Sequence, residues 1–135
     1  MLLPLARHVV NHISLSNHLA LAVCRKGQGS GHLLNELIKA VYLTYFLQQS
    51  GFGDAPLDLY RRAEAVLEEA GWRAQEDGRW GVTPDAASTL EEILALHDQQ
   101  LALAATWHVD AARHRLSKFI ASDLPSPLPK DALNS

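Results

Sequence analysis

The chain has 135 residues, of which 47% are apolar, and its 12 basic and 15 acidic side chains leave a net charge of −3. This length is sufficient for one hydrophobic core and too short for two. The acidic balance excludes a general attraction to nucleic acid, so DNA binding would require a local basic patch. The single cysteine, Cys24, excludes an internal disulfide bond.

The N-terminal sequence argues against secretion and against membrane insertion. The first ten residues, MLLPLARHVV, lack a basic leader, and their apolar segment is too short for a signal peptide. No apolar run approaches the roughly 18 residues that cross a bilayer. We therefore expect a cytoplasmic protein without a membrane partner.

In the first half of the chain, apolar residues recur with helical periodicity, and typical helix-start and helix-end residues separate the segments. A first helical region extends from Pro4 to Cys24, and the serines of ISLSN predict a break there, because Ser14 or Ser16 can begin a new helix. A loop, RKGQGSG, follows. Ser30 is the predicted N-cap of the second helix, and Gly51 is its predicted end.

The third helix and the segment after it are also marked by turn residues. Asp54 is the predicted cap, Pro56 lies in the predicted first turn, and Gly71 is the predicted end. The segment 72–82 has tryptophans on both sides of an Asp-Gly pair, which predicts either a small hairpin or an ordered loop.

Two further helices complete the predicted fold. Thr83 and Pro84 begin one of them as cap and first residue, and its buried stripe includes His97. A break near Thr106 precedes the last helix. We predict an all-α, single-domain bundle of about five helices in residues 1–121, followed by an extended, proline-rich C-terminal tail in residues 122–135.

The second helix has an unusual distribution of apolar residues. Its first half is polar on one side, but the same side becomes apolar in its second half, through Tyr42, Leu43, Phe46 and Leu47. Such a helix is either central and covered by the rest of the chain, or it contributes a face to another subunit. We predict that these four residues form a partner or dimer interface, with the central helix as the alternative.

A cluster of basic residues in the last helix raises the possibility of DNA binding. Arg113, Arg115 and Lys118 are candidate nucleic-acid contacts, and a helix followed by a hairpin and another helix is also the order of a winged helix. Against this alternative, the helix before the hairpin carries Glu64, Glu68 and Glu69, which phosphates would repel.

The candidates for chemistry are few. His8 and His12 have the spacing that places two imidazoles on one helix face, but no further ligand motif accompanies them. His97 is expected in the core, and Cys24 is expected to be a small buried residue rather than a nucleophile. We expect no metal, no cofactor and no enzymatic activity.

Five segments together suggest a relationship: LSNHLALAVCRKGQGS, LIKAVYLTYFL, YRRAEAVLEEA, LEEILALHDQQLALA and RLSKFIASDLPSPLP. They cover most of the chain and resemble a family of small proteobacterial helical proteins that are often labelled Fis-family transcriptional regulators. The resemblance implies a regulatory role and provides no catalytic residues.

These observations favour a regulator that acts by binding. We expect helix-mediated protein–protein contact, with a second copy of the chain as the expected partner in a homodimer. A DNA-binding transcriptional regulator that uses the last helix is the alternative, and a small-molecule or metal-dependent enzyme that uses His97 or the His8 and His12 pair is a further one.

Overall fold

A computed structural model of the protein describes residues 3–130. This part of the chain forms five helices: α1 Arg7–Arg25, α2 Gly31–Gln49, α3 Leu57–Asp77, α4 Pro84–Leu103 and α5 Thr106–Ala121. The predicted all-α, single-domain bundle is therefore confirmed. Helix α2 packs against each of the other four helices, and α4 also packs against α1 and α3.

The ends of α2 are where the sequence predicts them. The Ser30 hydroxyl accepts a hydrogen bond from the Leu33 amide at 3.2 Å, which satisfies one of the donors that an α-helix leaves free at its start. The helix ends at Gln49, and Gly51 has a φ of 102°, a conformation that glycine adopts without strain.

The second half of α2 lies in the centre of the bundle. Tyr42, Phe46 and Leu47 are all buried, and Leu47 is 0% exposed. Tyr42 packs edge-on against Phe119 of α5, with ring centroids 5.3 Å apart. The loss of the polar face along α2 therefore corresponds to a central helix that its own chain covers on most sides, with Leu43 half-buried.

Helix α1 is continuous, so the predicted break in ISLSN is wrong. Ser14 and Ser16 lie within the helix and cap nothing. Tertiary contacts outweigh the weak tendency of serine to begin a helix. Two side-chain pairs connect α1 to α4, His18 with Asp98 at 2.9 Å and Arg25 with Glu91 at 2.7 Å.

Helix α3 differs from the prediction at both ends. Pro56 rather than Asp54 occupies the N-cap position, and the helix continues through Gly71 to Asp77. It ends at Gly78, which has a φ of 75° and whose amide donates to the Ala74 carbonyl at 2.8 Å. The helix continues because Ala70 and Ala74 extend its buried stripe beyond Gly71.

The segment 72–82 contains no hairpin. Residues 72–77 complete α3, and 78–83 form a loop that returns to the core, where Trp80 is half-buried and Val82 is buried. This loop packs on the turn after α1, since the Gly29 amide donates to the Trp80 carbonyl at 2.8 Å. A Cβ atom on residue 29 would lie 2.6 Å from the Cys24 sulfur, so this contact requires glycine.

The last two helices begin and end close to the predicted positions. The Thr83 hydroxyl accepts from the Ala86 amide at 3.2 Å and Pro84 is the first residue of α4, as predicted. Only Ala104 and Ala105 separate α4 from α5. Ala105 also forms an antiparallel bridge with Pro4, so the N-terminal segment lies against this junction.

The C-terminal segment is extended and lies against the helices. In residues 122–130, Leu128 is buried in the core, and the Pro129 carbonyl accepts a hydrogen bond from Arg61 of α3 at 2.8 Å. Residues 131–135 of the predicted tail lie outside the described residues. None of the helices in residues 3–130 is both long and apolar enough to cross a membrane.

Two glycine substitutions test the observed end of α3. We expect Gly78→Ala to lower the free energy of unfolding by about 1 kcal/mol, because alanine is strained at the positive φ of this position. Gly71→Ala should raise it by about 0.5–1 kcal/mol, because alanine favours a helix interior and meets no atom within 4 Å. Urea unfolding of the wild type and of both variants measures these changes in the free energy of unfolding. A destabilised Gly71→Ala variant would contradict a helix that continues through this residue.

A charged substitution tests the central position of α2. Leu47→Glu should unfold the protein, because an unpaired buried charge and a lost leucine cost several kcal/mol out of a total of about 5–15 kcal/mol. Circular dichroism at increasing temperature measures this loss. His32→Glu, at an exposed position of the same helix, is the control and should remain folded. A Leu47→Glu variant that stays helical and changes only its mass in solution would place residue 47 at an interface.

Candidate functional site

The predicted interface residues do not form an exposed surface. Tyr42, Phe46 and Leu47 are covered by other helices of the same chain, and Leu43 is half-buried. They therefore occupy the position that the central-helix alternative describes. A partner would have to displace this core to reach them.

The three basic residues of α5 are divided between two sides of the helix, because Arg115 and Lys118 are three residues apart and Arg113 lies on another side. Arg115 donates to the Gln49 side chain at 2.7 Å, and its guanidinium carbon lies 4.5 Å from the centre of the Phe46 ring. Arg113 instead lines a small cavity that is also lined by Lys39 and His97. Lys118 is exposed in the last turn of α5, where a positive charge stabilises the helix dipole.

The remaining candidates for chemistry are also separate from one another. His8 and His12 are exposed on α1. Within residues 3–130, no three His, Cys, Asp or Glu side chains are grouped closely enough to hold a metal ion. Cys24 is 0% exposed, and burial raises the pKa of its thiol, which disfavours the nucleophilic thiolate.

His97 belongs to a buried polar junction between α2 and α4. The Gln100 side-chain amide donates to two carbonyls, that of Thr44 at 2.9 Å and that of Phe52 at 2.7 Å. Its oxygen must therefore accept the hydrogen bond from His97 Nδ1, at 3.2 Å. This geometry assigns the proton of the neutral imidazole to Nδ1.

The junction favours a neutral histidine. Burial lowers the pKa of His97, and the positive charge of Arg113 acts in the same direction, whereas the hydrogen bond to Gln100 and the charge of Asp98 oppose it. His97 Nε2 is buried and has no hydrogen-bond partner in the structure. The neutral imidazole therefore supports Gln100, which connects α4 to α2, and its protonation weakens this part of the core.

Three of the exposed large apolar side chains lie near the junction of α4 and α5. Leu103 at the end of α4 is 73% exposed, Trp107 in the first turn of α5 is 46% exposed, and Leu3 is 66% exposed. We call these three residues the apolar corner. Large aromatic and aliphatic side chains grouped at a surface mark contact sites in folded proteins.

Backbone and ring contacts make the apolar corner continuous. The Leu3 carbonyl accepts a hydrogen bond from the Thr106 amide at 2.9 Å, which places Leu3 beside the start of α5. The Trp107 ring stacks on His108 with centroids 3.6 Å apart, and His108 packs edge-on against Phe52 at 4.9 Å. Phe52 and Leu103 both line a shallow cavity of about 150 Å³.

Sequence reasoning did not identify the apolar corner. At about 100° per residue, Leu103 lies away from the buried stripe of α4, so the helical pattern itself indicates an exposed position. Trp107 was a weak signal, because a tryptophan directly after a helix break is as compatible with a core position as with an exposed one. The position of Leu3 follows from a tertiary contact with Thr106.

Comparisons with protein-family models, curated proteins and solved structures find no match for this chain. The resemblance to proteins labelled Fis-family regulators, and the regulatory role that it implies, therefore remain predictions.

The junction at His97 predicts a specific pH dependence of stability. The pKa of His97 is lowered on folding, so between its folded pKa and about 6.5 only the unfolded chain is protonated. Stability is therefore lost as the pH falls through this range, by at most about 1.4 kcal/mol per pH unit. Urea unfolding at several pH values from 7.5 to 5 gives the free energy of unfolding as a function of pH. This free energy should fall less steeply with decreasing pH for His97→Asn than for the wild type.

His114→Asn is the matched control for this measurement, because His114 is exposed on α5. Its slope should equal that of the wild type. Equal slopes for the wild type and for His97→Asn would mean that His97 does not carry the pH dependence.

Proposed function

We propose that this protein is a non-enzymatic regulatory protein that acts through helix-mediated protein–protein contact, as a homodimer joined at the apolar corner. The observation that carries the proposal is the exposure of Leu103 and Trp107, which lie on either side of the short junction between α4 and α5. The interface is therefore proposed at these residues rather than at the buried residues of α2.

The energy that the apolar corner can contribute supports this proposal. Burial of apolar surface gains about 25 cal/mol per Å², and complete burial of a large apolar side chain is worth about 1.5–3 kcal/mol. Tryptophan is also among the residues that most often dominate binding energy at interfaces. The contact residues Leu103 and Trp107 lie on helices whose other sides pack in the core, so their positions are fixed before association.

A second copy of the chain is the partner that best matches the chemistry of this surface. The three residues that define the apolar corner carry no charge, so nothing in them selects a partner of opposite charge. An apolar patch is complementary to itself, and a two-fold dimer buries it on both subunits at once. The acidic net charge of −3 is small enough to permit this association.

The DNA-binding alternative has less geometric support. Arg115 packs on Phe46 and donates to Gln49, so part of its charge is already used within the protein. Arg113 is on another side of α5 from Arg115, where it lines a cavity together with residues of other helices. A uniform basic surface, as phosphate contacts require, is not assembled by these side chains.

Replacement of the exposed tryptophan tests the proposed dimer. Trp107→Glu should weaken dimerisation at least about 30-fold, equivalent to about 2 kcal/mol, because it removes an apolar anchor and places a charge in each half of the interface. Sedimentation velocity over a range of concentrations measures the dissociation constant, and circular dichroism confirms that the variant is folded.

Trp72→Glu is the matched control, since Trp72 is 62% exposed on α3, outside the apolar corner. It should dimerise like the wild type. A monomeric wild type at 100 µM, or equal weakening by the two substitutions, would contradict the proposal.

A further inference from the structure

Helices α2 and α3 enclose a groove of about 520 Å³ on a different part of the bundle. The two helices are antiparallel, so Gly31 at the start of α2 lies opposite Gln75 near the end of α3, while Tyr42 lies opposite Glu64. The volume falls within the range of about 300–1,000 Å³ that small-molecule sites have.

Segments outside the two helices line both ends of this groove. Trp80 lies at one end, with its ring 3.2 Å from where a Cβ atom on residue 31 would be. Pro125 and Ser126 of the C-terminal segment line the other end. These segments limit the length of the groove, which favours a small molecule over a long helix or an extended chain.

The walls combine apolar surface with negative charge. Leu34, Ile38 and Leu67 supply aliphatic side chains, and Glu64 and Glu68 supply two carboxylates one helical turn apart. The lining contains no Lys, Arg or His. In residues 3–130, neither carboxylate forms an ion pair with a basic side chain.

Glu64 is held in position by two hydroxyl groups. Tyr42 donates to Glu64 Oε2 at 2.6 Å, and the Ser126 hydroxyl donates to the same oxygen. Burial and the neighbouring carboxylate raise the pKa of the Tyr42 phenol, so it remains a donor at neutral pH. The other carboxylate oxygen accepts no hydrogen bond from the described residues and is available to a ligand.

Gly71 provides an independent indication of a ligand. It lies in the interior of α3 and lines the groove, where glycine costs about 1 kcal/mol relative to alanine. A Cβ atom at this position would meet no atom within 4 Å, so packing within the chain does not require glycine.

The other seven of the eight glycines have an evident local reason. Each has either a positive φ or a position for Cβ within 3.2 Å of another atom: Gly27, Gly29, Gly31, Gly51, Gly53, Gly78 and Gly81. Gly71 is the exception, and what distinguishes it is that it widens the groove.

We propose that the groove between α2 and α3 is a binding site for a small organic cation with an apolar body. The apolar body packs against Leu34, Ile38 and Leu67, and the cationic group lies at the end where Glu64 and Glu68 are found. Gly71 leaves the space that the body of the ligand occupies. This site is separate from the apolar corner and does not depend on the proposed dimer.

Three probes of similar shape and different charge test the ligand class. Phenylbutylamine is the cation, phenylbutanol is its neutral counterpart, and phenylbutyrate is the anion. Isothermal titration calorimetry of the full-length protein at pH 7 and low salt should show the amine binding at least about fivefold more tightly than the alcohol, and the anion binding most weakly. Equal affinities for amine and alcohol, or no binding of the amine at millimolar concentration, would overturn the proposal.

Substitutions in the groove test the location. Gly71→Leu should fill the groove and lower the affinity for phenylbutylamine at least about tenfold while the protein remains folded. Ala65→Leu, at an exposed position of α3 outside the groove, is the matched control and should bind like the wild type. If Gly71→Leu does not fold, Gly71→Ala is the substitute, with a smaller loss expected. Unchanged affinity in a folded Gly71 variant would overturn the location.

Charge substitutions separate the two parts of the proposed site. Glu68→Gln should reduce the preference for amine over alcohol without weakening the alcohol, whereas Glu69→Gln, outside the groove, should change neither affinity. Equal effects of the two substitutions would show a diffuse surface charge and would overturn the assignment of Glu68. The sedimentation experiments on Trp107 are unaffected by either result.

Discussion

The arrangement of this bundle depends on one constraint, the need to cover the second half of α2. The side chains there are apolar on every side of the helix, so a single packing partner would leave large residues in water. Helices α1, α3, α4 and α5 all contact α2, and together they bury Tyr42, Phe46 and Leu47. Contacts among the outer helices then follow from their common support. A helix with a single apolar face would have allowed a looser arrangement.

A central helix brings polar groups into the core, and these must be satisfied internally. Thr44 is 0% exposed, and its hydroxyl donates to the Ala40 carbonyl at 2.7 Å. Gln100 donates to the Thr44 and Phe52 carbonyls, so it connects α4 both to α2 and to the loop that follows α2. A buried polar group without a partner costs about 1–3 kcal/mol, and therefore these bonds restrict how α4 can rotate on α2. Neutral His97 completes the same junction.

The sequence predicted those features that depend on a few neighbouring residues. Ser30 and the pair Thr83 and Pro84 act locally as helix starts, and they begin helices in the structure as well. Gly71 misled the prediction because glycine within a helix and glycine after a helix look alike, and only Gly78 has the positive φ of a helix end. The groove was not predictable, because it depends on residues that are distant in sequence. In the apolar corner this holds only for Leu3. Tyr42 meets Glu64 only through the packing of α2 on α3, and Leu3 meets Thr106 only in the folded chain.

In the proposed site, different residues of the groove would provide the affinity for the ligand and the selectivity for a cation. An ion pair that remains partly in water contributes about 0–1 kcal/mol, whereas each 40 Å² or so of apolar surface that a ligand buries contributes about 1 kcal/mol. The aliphatic wall would therefore supply most of the affinity, and the carboxylates would supply the preference for a cation. Glu64 needs little rearrangement for this role, because Tyr42 and Ser126 already hold one of its oxygens. The same reasoning accounts for Gly71: the helix gives up about 1 kcal/mol of stability, and the ligand gains apolar contact area along the full length of the wall.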